Sequence, residues 1–165
     1  MRYQQIPDTD LKPSVVCFGG GTIGIKLNKK ESFIMLDKFI DAGGNFIDTA
    51  NIYGKWLPEG TNISEIILGE WLQERGNRDE IIIGTKGGHP NLSSMDQPRL
   101  DREDIIQDLN ESLDSLKTDY IDIYWLHRDD ENKPVSEILD ILNEQVEKGK
   151  IRYFCCSNWS VDRIK

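Results

Sequence analysis

The sequence predicts an α/β fold built on a parallel sheet. Strand-like and helix-like segments alternate strictly along the chain, and the strand-like ones are short apolar runs of the kind buried on both faces. Four of the runs begin at positions 46, 81, 120 and 151, far enough apart for one crossover helix each. Five β–α units in sequence admit two architectures: an open doubly wound sheet, or the arc of a (β/α)₈ barrel.

The elements follow in order. Tyr3 to Ser14 holds two extended pieces around Pro7-Asp8-Thr9-Asp10 and reads as a hairpin plugging one end of a barrel. Val15-Val16-Cys17-Phe18 reads as a buried first strand, ended by Gly19-Gly20-Gly21. Asn28 and Glu31 have capping-box spacing, and Phe33, Leu36, Phe39 and Ile40 recur behind them at helical intervals until Gly43-Gly44. Asn45 to Asp48 is the second strand. Asn62 and Glu65 offer another capping box, followed by Ile66, Ile67, Leu68, Trp71 and Leu72, with Gly76 as the stop. Glu80 to Thr85 is the third strand. Arg102 to Leu116 carries Ile105, Ile106, Leu109, Leu113 and Leu116 on one helical face, and Tyr120 to Leu126 is the fourth strand. Ser136 to Lys148 is a helix closed by Gly149, Ile151 to Cys156 is the fifth strand, and Ser160 caps a last helix.

Composition bounds the function. The chain has 165 residues, 38% of them hydrophobic and 14 of them glycine, which suits one domain, residues 1–165, with a sizeable core. Against 29 acidic residues stand 20 basic ones, a net charge of −9 that argues against nucleic acid as a partner, since phosphates demand a basic face. The apolar runs are too short to span a bilayer, and Met1 to Ile6 forms no secretory signal core. Three cysteines, Cys17, Cys155 and Cys156, make no disulfide framework; a reducing cytoplasm is the simplest home. Adjacent Cys155 and Cys156 alternate faces and read as strand packing.

Gly19-Gly20-Gly21-Thr22-Ile23-Gly24 matches a dinucleotide-binding fingerprint, but that fingerprint needs a helix opening at the glycines. Here the helical pattern begins around Glu31, so the stretch reads as a loop at a strand end. The strand ends themselves are more telling. The second ends in Asp48 with Tyr53 in the loop beyond, the third runs into Lys86, the fourth into His127, and the fifth into Ser157-Asn158. In parallel β/α folds these ends converge on one mouth, and an acid, a phenol, an amine and an imidazole there point to proton transfer. His89 sits in a loop and is a weaker candidate; two histidines and scattered cysteines supply no metal site, which leaves a metal-dependent barrel hydrolase without its ligands. Trp56 lines a substrate pocket or anchors its loop. Asp129-Asp130-Glu131 reads as a solvated loop.

Phe46-Ile47-Asp48-Thr49-Ala50 with Tyr53-Gly54, Gly84-Thr85-Lys86, Asp119 through His127, and Gly149-Lys150-Ile151-Arg152-Tyr153 through Ser157-Asn158 resemble the aldo-keto reductases, in order and over essentially the whole chain. The resemblance implies a (β/α)₈ barrel, a carbonyl substrate and a nicotinamide cofactor, usually NADPH, with NADH left open. It also implies Tyr53 as general acid, Lys86 and Asp48 as its tuning pair, and His127 as the group that orients the carbonyl. Gly21, Thr22, Ile23, Asp48, Ser157 and Asn158 are implied to touch the cofactor, and Tyr53, Trp56 and His127 the substrate.

The chemistry suits these residue types. Hydride delivered to a carbonyl leaves an alkoxide that needs a proton and an electrostatic host. A tyrosine of ordinary pKa, about 10, donates reluctantly, and a lysine cation held by an aspartate eases the release. An eight-unit barrel takes roughly 250 residues, so the expectation is an N-terminal partial barrel of about five units, a truncated chain. Its open edges invite self-association. The alternative function is a catalytically idle fragment acting by association.

Overall fold

A computed structural model describes residues 1–165. Its sheet has five parallel strands, β1 (Phe18–Gly19), β2 (Phe46–Asp48), β3 (Ile82–Gly87), β4 (Ile121–Leu126) and β5 (Ile151–Cys156), side by side in chain order. Each pairs in parallel with the next, with Asp48 beside Gly84 and Lys86 beside Trp125. Helices α1 (Lys29–Asp41), α2 (Ile63–Arg75), α3 (Arg102–Leu116) and α4 (Val135–Glu147) alternate with the strands, and a short α5 (Val161–Ile164) follows β5. A doubly wound sheet reverses its strand order at a switch point. This sheet never reverses, so it is the arc of a (β/α)₈ barrel.

Several boundaries follow directly from local chemistry. At α1 the capping box forms in full: Asn28 Oδ1 accepts from the Glu31 amide at 3.0 Å, and the Asn28 amide donates to Glu31 Oε2 at 2.9 Å. The capping box expected at Asn62 does not form. Its side-chain amide instead donates to Glu65 Oε2 at 2.7 Å and Ser115 Oγ at 2.8 Å, because Glu65 is fully buried and its oxygens need donors inside the fold.

The first strand is also shorter than Val15 to Phe18. Val15 and Val16 are 51% and 52% exposed, and the Val15 amide donates to Arg2 O at 3.0 Å. They extend the N-terminal hairpin instead of the sheet. That hairpin pairs Tyr3 with Ser14 and carries the Ile6 amide to Leu11 O at 3.0 Å. Its Leu11 packs on Ile82 and Ile123, with Ile6, Phe46, Trp125, Tyr153 and Cys155 around them. The N-terminal end of the inner face is thereby covered, and the open mouth lies at the C-terminal strand ends.

The outer face is denser. Ile47, Ile83, Tyr124 and Leu126 of the strands join side chains of all four long helices in one core of 22 buried residues. No helix is long and apolar enough to cross a membrane.

Candidate active site

Asp48 and Lys86 lie on the same, inner face of the sheet, because Asp48 pairs with Gly84 and Lys86 is two residues further along β3. Lys86 Nζ donates to Asp48 Oδ2 and to Thr49 O, both at 2.6 Å. A side chain at position 84 would intrude: a Cβ there would stand 3.3 Å from both Asp48 Oδ1 and Trp125 Nε1. Glycine thus leaves room for the aspartate and the indole on either side of β3.

Tyr53 is brought over this pair by the loop after β2. Its amide donates to Ala50 O at 2.9 Å, and Gly54 behind it takes φ +105° where a Cβ would stand 2.4 Å from Ile63 Cγ2. Only glycine makes that turn without strain. The result sets Lys86 Nζ 5.4 Å from the centroid of the Tyr53 ring.

His127 follows β4, its amide donating to Gly87 O at 2.8 Å. Its ring lies 6.3 Å from the Tyr53 ring, nearly perpendicular, and its Nδ1 is buried with no partner. Burial first, and then the neighbouring His89, Lys86 and Arg128, push the imidazole down from its usual range to about 3. His127 is therefore neutral near pH 7. The four ionisable groups singled out at the strand ends are in this way gathered around one mouth.

The remaining candidates fall unevenly. Trp56, 49% exposed, meets the Tyr53 ring edge-on at 6.3 Å. Gly21 lies against Tyr53, with an added Cβ 3.8 Å from its Cε2, and with Thr22 it forms one 3₁₀ turn. Ile23 is fully buried in the main core, so its side chain serves packing. Ser157 joins Cys17, Phe46, Asp48, Lys86 and Trp125 around an inner recess of about 340 Å³. Asn158, at φ +62°, donates to His127 O at 2.8 Å and so ties the end of β5 to the end of β4.

Two features escaped the sequence reading. The loop at Asp129 is not merely solvated: Asp129 is 10% exposed and accepts from Arg163 Nε at 3.1 Å, while Arg163 also donates to Asp130 O and Lys133 O. The partner lies 34 residues away, beyond any local signal. His89 stands next to His127, ring centroids 4.9 Å apart, which only the fold reveals. No group of three or more His, Cys, Asp or Glu side chains could hold a metal ion.

The model of the aldo/keto reductase family matches residues 15–165. The chain belongs to that family. It is 34% identical over 164 residues to the uncharacterized oxidoreductase YrpG of Bacillus subtilis, covering 97% of this chain and 50% of the relative. It is 32% identical over 182 residues to norsolorinic acid reductase B of Aspergillus parasiticus, covering 98% of this chain and 45% of that protein. Among solved structures it superposes on the holo form of aldo-keto reductase AKR11C1 from Bacillus halodurans with a TM-score of 0.84 and 28% identity, over 99% of this chain and 52% of the other. The chain spans about half the length of the curated relatives it matches.

Proposed function

We propose that the protein reduces aldehydes or ketones with a nicotinamide cofactor, NADPH in the first instance, in a reducing cytoplasm. The observation that carries this is the Lys86 ammonium, held by Asp48 and Thr49 O at 2.6 Å and poised 5.4 Å from the Tyr53 ring, with His127 alongside.

The residues present suit the cofactor. The inner recess is lined by the aromatic rings of Phe46 and Trp125 with Cys17, Asp48 and Lys86, edged by the Ser157 hydroxyl, and the buried Nε1–H of Trp125 has no protein partner. A flat ring bearing an amide matches that set of groups. Asp48, Ser157, Asn158 and the Gly21–Thr22 turn would hold it, and when bound it supplies hydride to the carbonyl carbon.

The chain's own residues do the rest. Tyr53 gives its phenolic proton to the developing alkoxide oxygen. The Lys86 cation stabilises the phenolate left behind, and Asp48 fixes the cation in place. Neutral His127 donates a hydrogen bond to the same oxygen without competing for the proton. Trp56 walls the outer side of Tyr53 and meets the substrate.

Titrating NADPH into the purified chain, with cofactor and tryptophan fluorescence as readouts, tests the binding half of this reading. Saturable binding weakened by Ser157→Ala and Asn158→Ala is expected; a folded chain that binds no NADPH or NADH would overturn it.

A further inference from the structure

A second histidine stands at the mouth, outside the set given roles above. The ring of His89 meets that of His127 edge to face, centroids 4.9 Å apart and planes at 73°. The connection between β3 and α3 is built to hold it there. Gly88 takes φ +70°, where a Cβ would stand 2.5 Å from Leu100 Cδ2, and its amide donates to buried Asp108 Oδ2 at 2.8 Å. Arg99, paired with Asp104 and Asp108, donates from Nη1 to His89 O at 3.1 Å. Backbone and ring of His89 are therefore both anchored.

The hydrogen positions follow from the partners. Nδ1 of His89 lies 2.7 Å from Pro90 O, and a carbonyl only accepts, so Nδ1 carries the hydrogen and Nε2 the lone pair of the neutral ring. His127 is the reverse. Its Nδ1 is buried without a partner, and a buried N–H left unpaired is costlier than an unpaired acceptor. Its hydrogen therefore sits on Nε2.

We propose that His89 is a positioning residue for the carbonyl site: its anchored ring is the wall that keeps the His127 imidazole buried, neutral and protonated on Nε2, ready to donate to the substrate oxygen. The inference rests on the carbonyl-reduction reading, which gives His127 its task. The groups facing His127 are the Tyr53 phenol from the loop after β2, Lys86 of β3, His89 beyond it and Arg128 after β4. Lys86 and Arg128 oppose an imidazolium by their charge, and the His89 ring opposes it by excluding water, so removing the wall admits water to the imidazole.

The chain has two histidines, so nitrogen-detected imidazole spectra contain two rings, told apart by substitution. Native His127 is expected to show Nε2–H and no protonation down to about pH 4, and His89 to show Nδ1–H. In His89→Ala, His127 gives mixed tautomers and titrates at least about one pH unit higher; His89→Phe, which keeps a ring wall, restores the native pattern. Carbonyl turnover follows suit, with kcat/KM falling about tenfold in His89→Ala and its acid limb moving up in pH. A native His127 carrying hydrogen on Nδ1, or a His127 whose tautomer and titration are unchanged in His89→Ala, overturns the proposal. If the alanine variant does not fold, His89→Phe decides: a His127 that titrates like a free histidine beside that ring also overturns it. Unchanged turnover in Tyr53→Phe would instead strike the function reading and leave the imidazole pair standing.

Discussion

The two faces of the sheet are built on opposite principles. The outer face is apolar and closed, with Ile47, Ile83, Tyr124 and Leu126 sunk among the helices in a 22-residue core. The inner face carries a buried cluster of only three, Leu11, Ile82 and Ile123, under the hairpin, and beyond it come Asp48, Lys86 and His127. Apolar burial is concentrated on the first face and ionisable groups on the second. Ionisable groups can be gathered at the mouth because the helix side supplies the burial that the mouth does not.

Substitutions on the two faces should therefore separate, from large losses of stability to almost none. Leu68 is fully buried in α2, and Leu68→Ala should cost about 3–5 kcal/mol in chemical denaturation. Gly69→Ala beside it adds a methyl 2.1 Å from Ser115 O on α3 and should cost at least about 1–3 kcal/mol by forcing the helices apart.

Glu65 breaks the apolar rule of the outer side and sharpens the comparison. Burial pushes its carboxyl up to about 7, against hydrogen bonds from Thr85, Ser112 and Asn62 that pull it down and nearby Glu111 that pushes it further up. A carboxyl whose folded pKa is raised holds its proton in the folded state, so its contribution is present at pH 4.5 and lost as pH climbs through 7. The native chain should lose roughly 3 kcal/mol across that window relative to Glu65→Gln, read from denaturation midpoints at matched pH. A flat difference between the two would show that the buried carboxylate is compensated.

Smaller again, Arg163→Ala removes the clamp on Asp129, Asp130 and Lys133, and should cost about 1 kcal/mol while loosening the loop after His127. Hydrogen exchange at residues 128–133 would report it. Smallest in stability is Tyr53→Phe, within about 0.5 kcal/mol of native, since the partly buried phenol makes no hydrogen bond within the protein.

How much of this was legible in the sequence follows from the range of each interaction. Periodicity, caps and short apolar runs act locally, so α3 and β5 were readable to the residue, as was the Asn28–Glu31 box, although α1 opens at Lys29, two residues before the expected start at Glu31. The mouth was readable because parallel strands bring their C-terminal ends together, whatever their spacing. Val15 and Val16 misled because β-branching marks an extended chain without saying which partner it pairs with. Asn62 misled because the burial of Glu65, set by α3 and β3, outbid the local cap. His89 beside His127, and Arg163 on Asp129, join residues 34 to 38 positions apart and needed the folded chain.

The most direct measurement is aldehyde-dependent consumption of NADPH by the native chain and by Tyr53→Phe, with unfolding midpoints recorded on the same samples. The expected result is turnover in the native chain that drops by about two to four orders of magnitude in the variant, with stability unmoved. Equal turnover in both, or none from a folded native chain, would contradict the assignment of proton transfer to Tyr53 at this mouth.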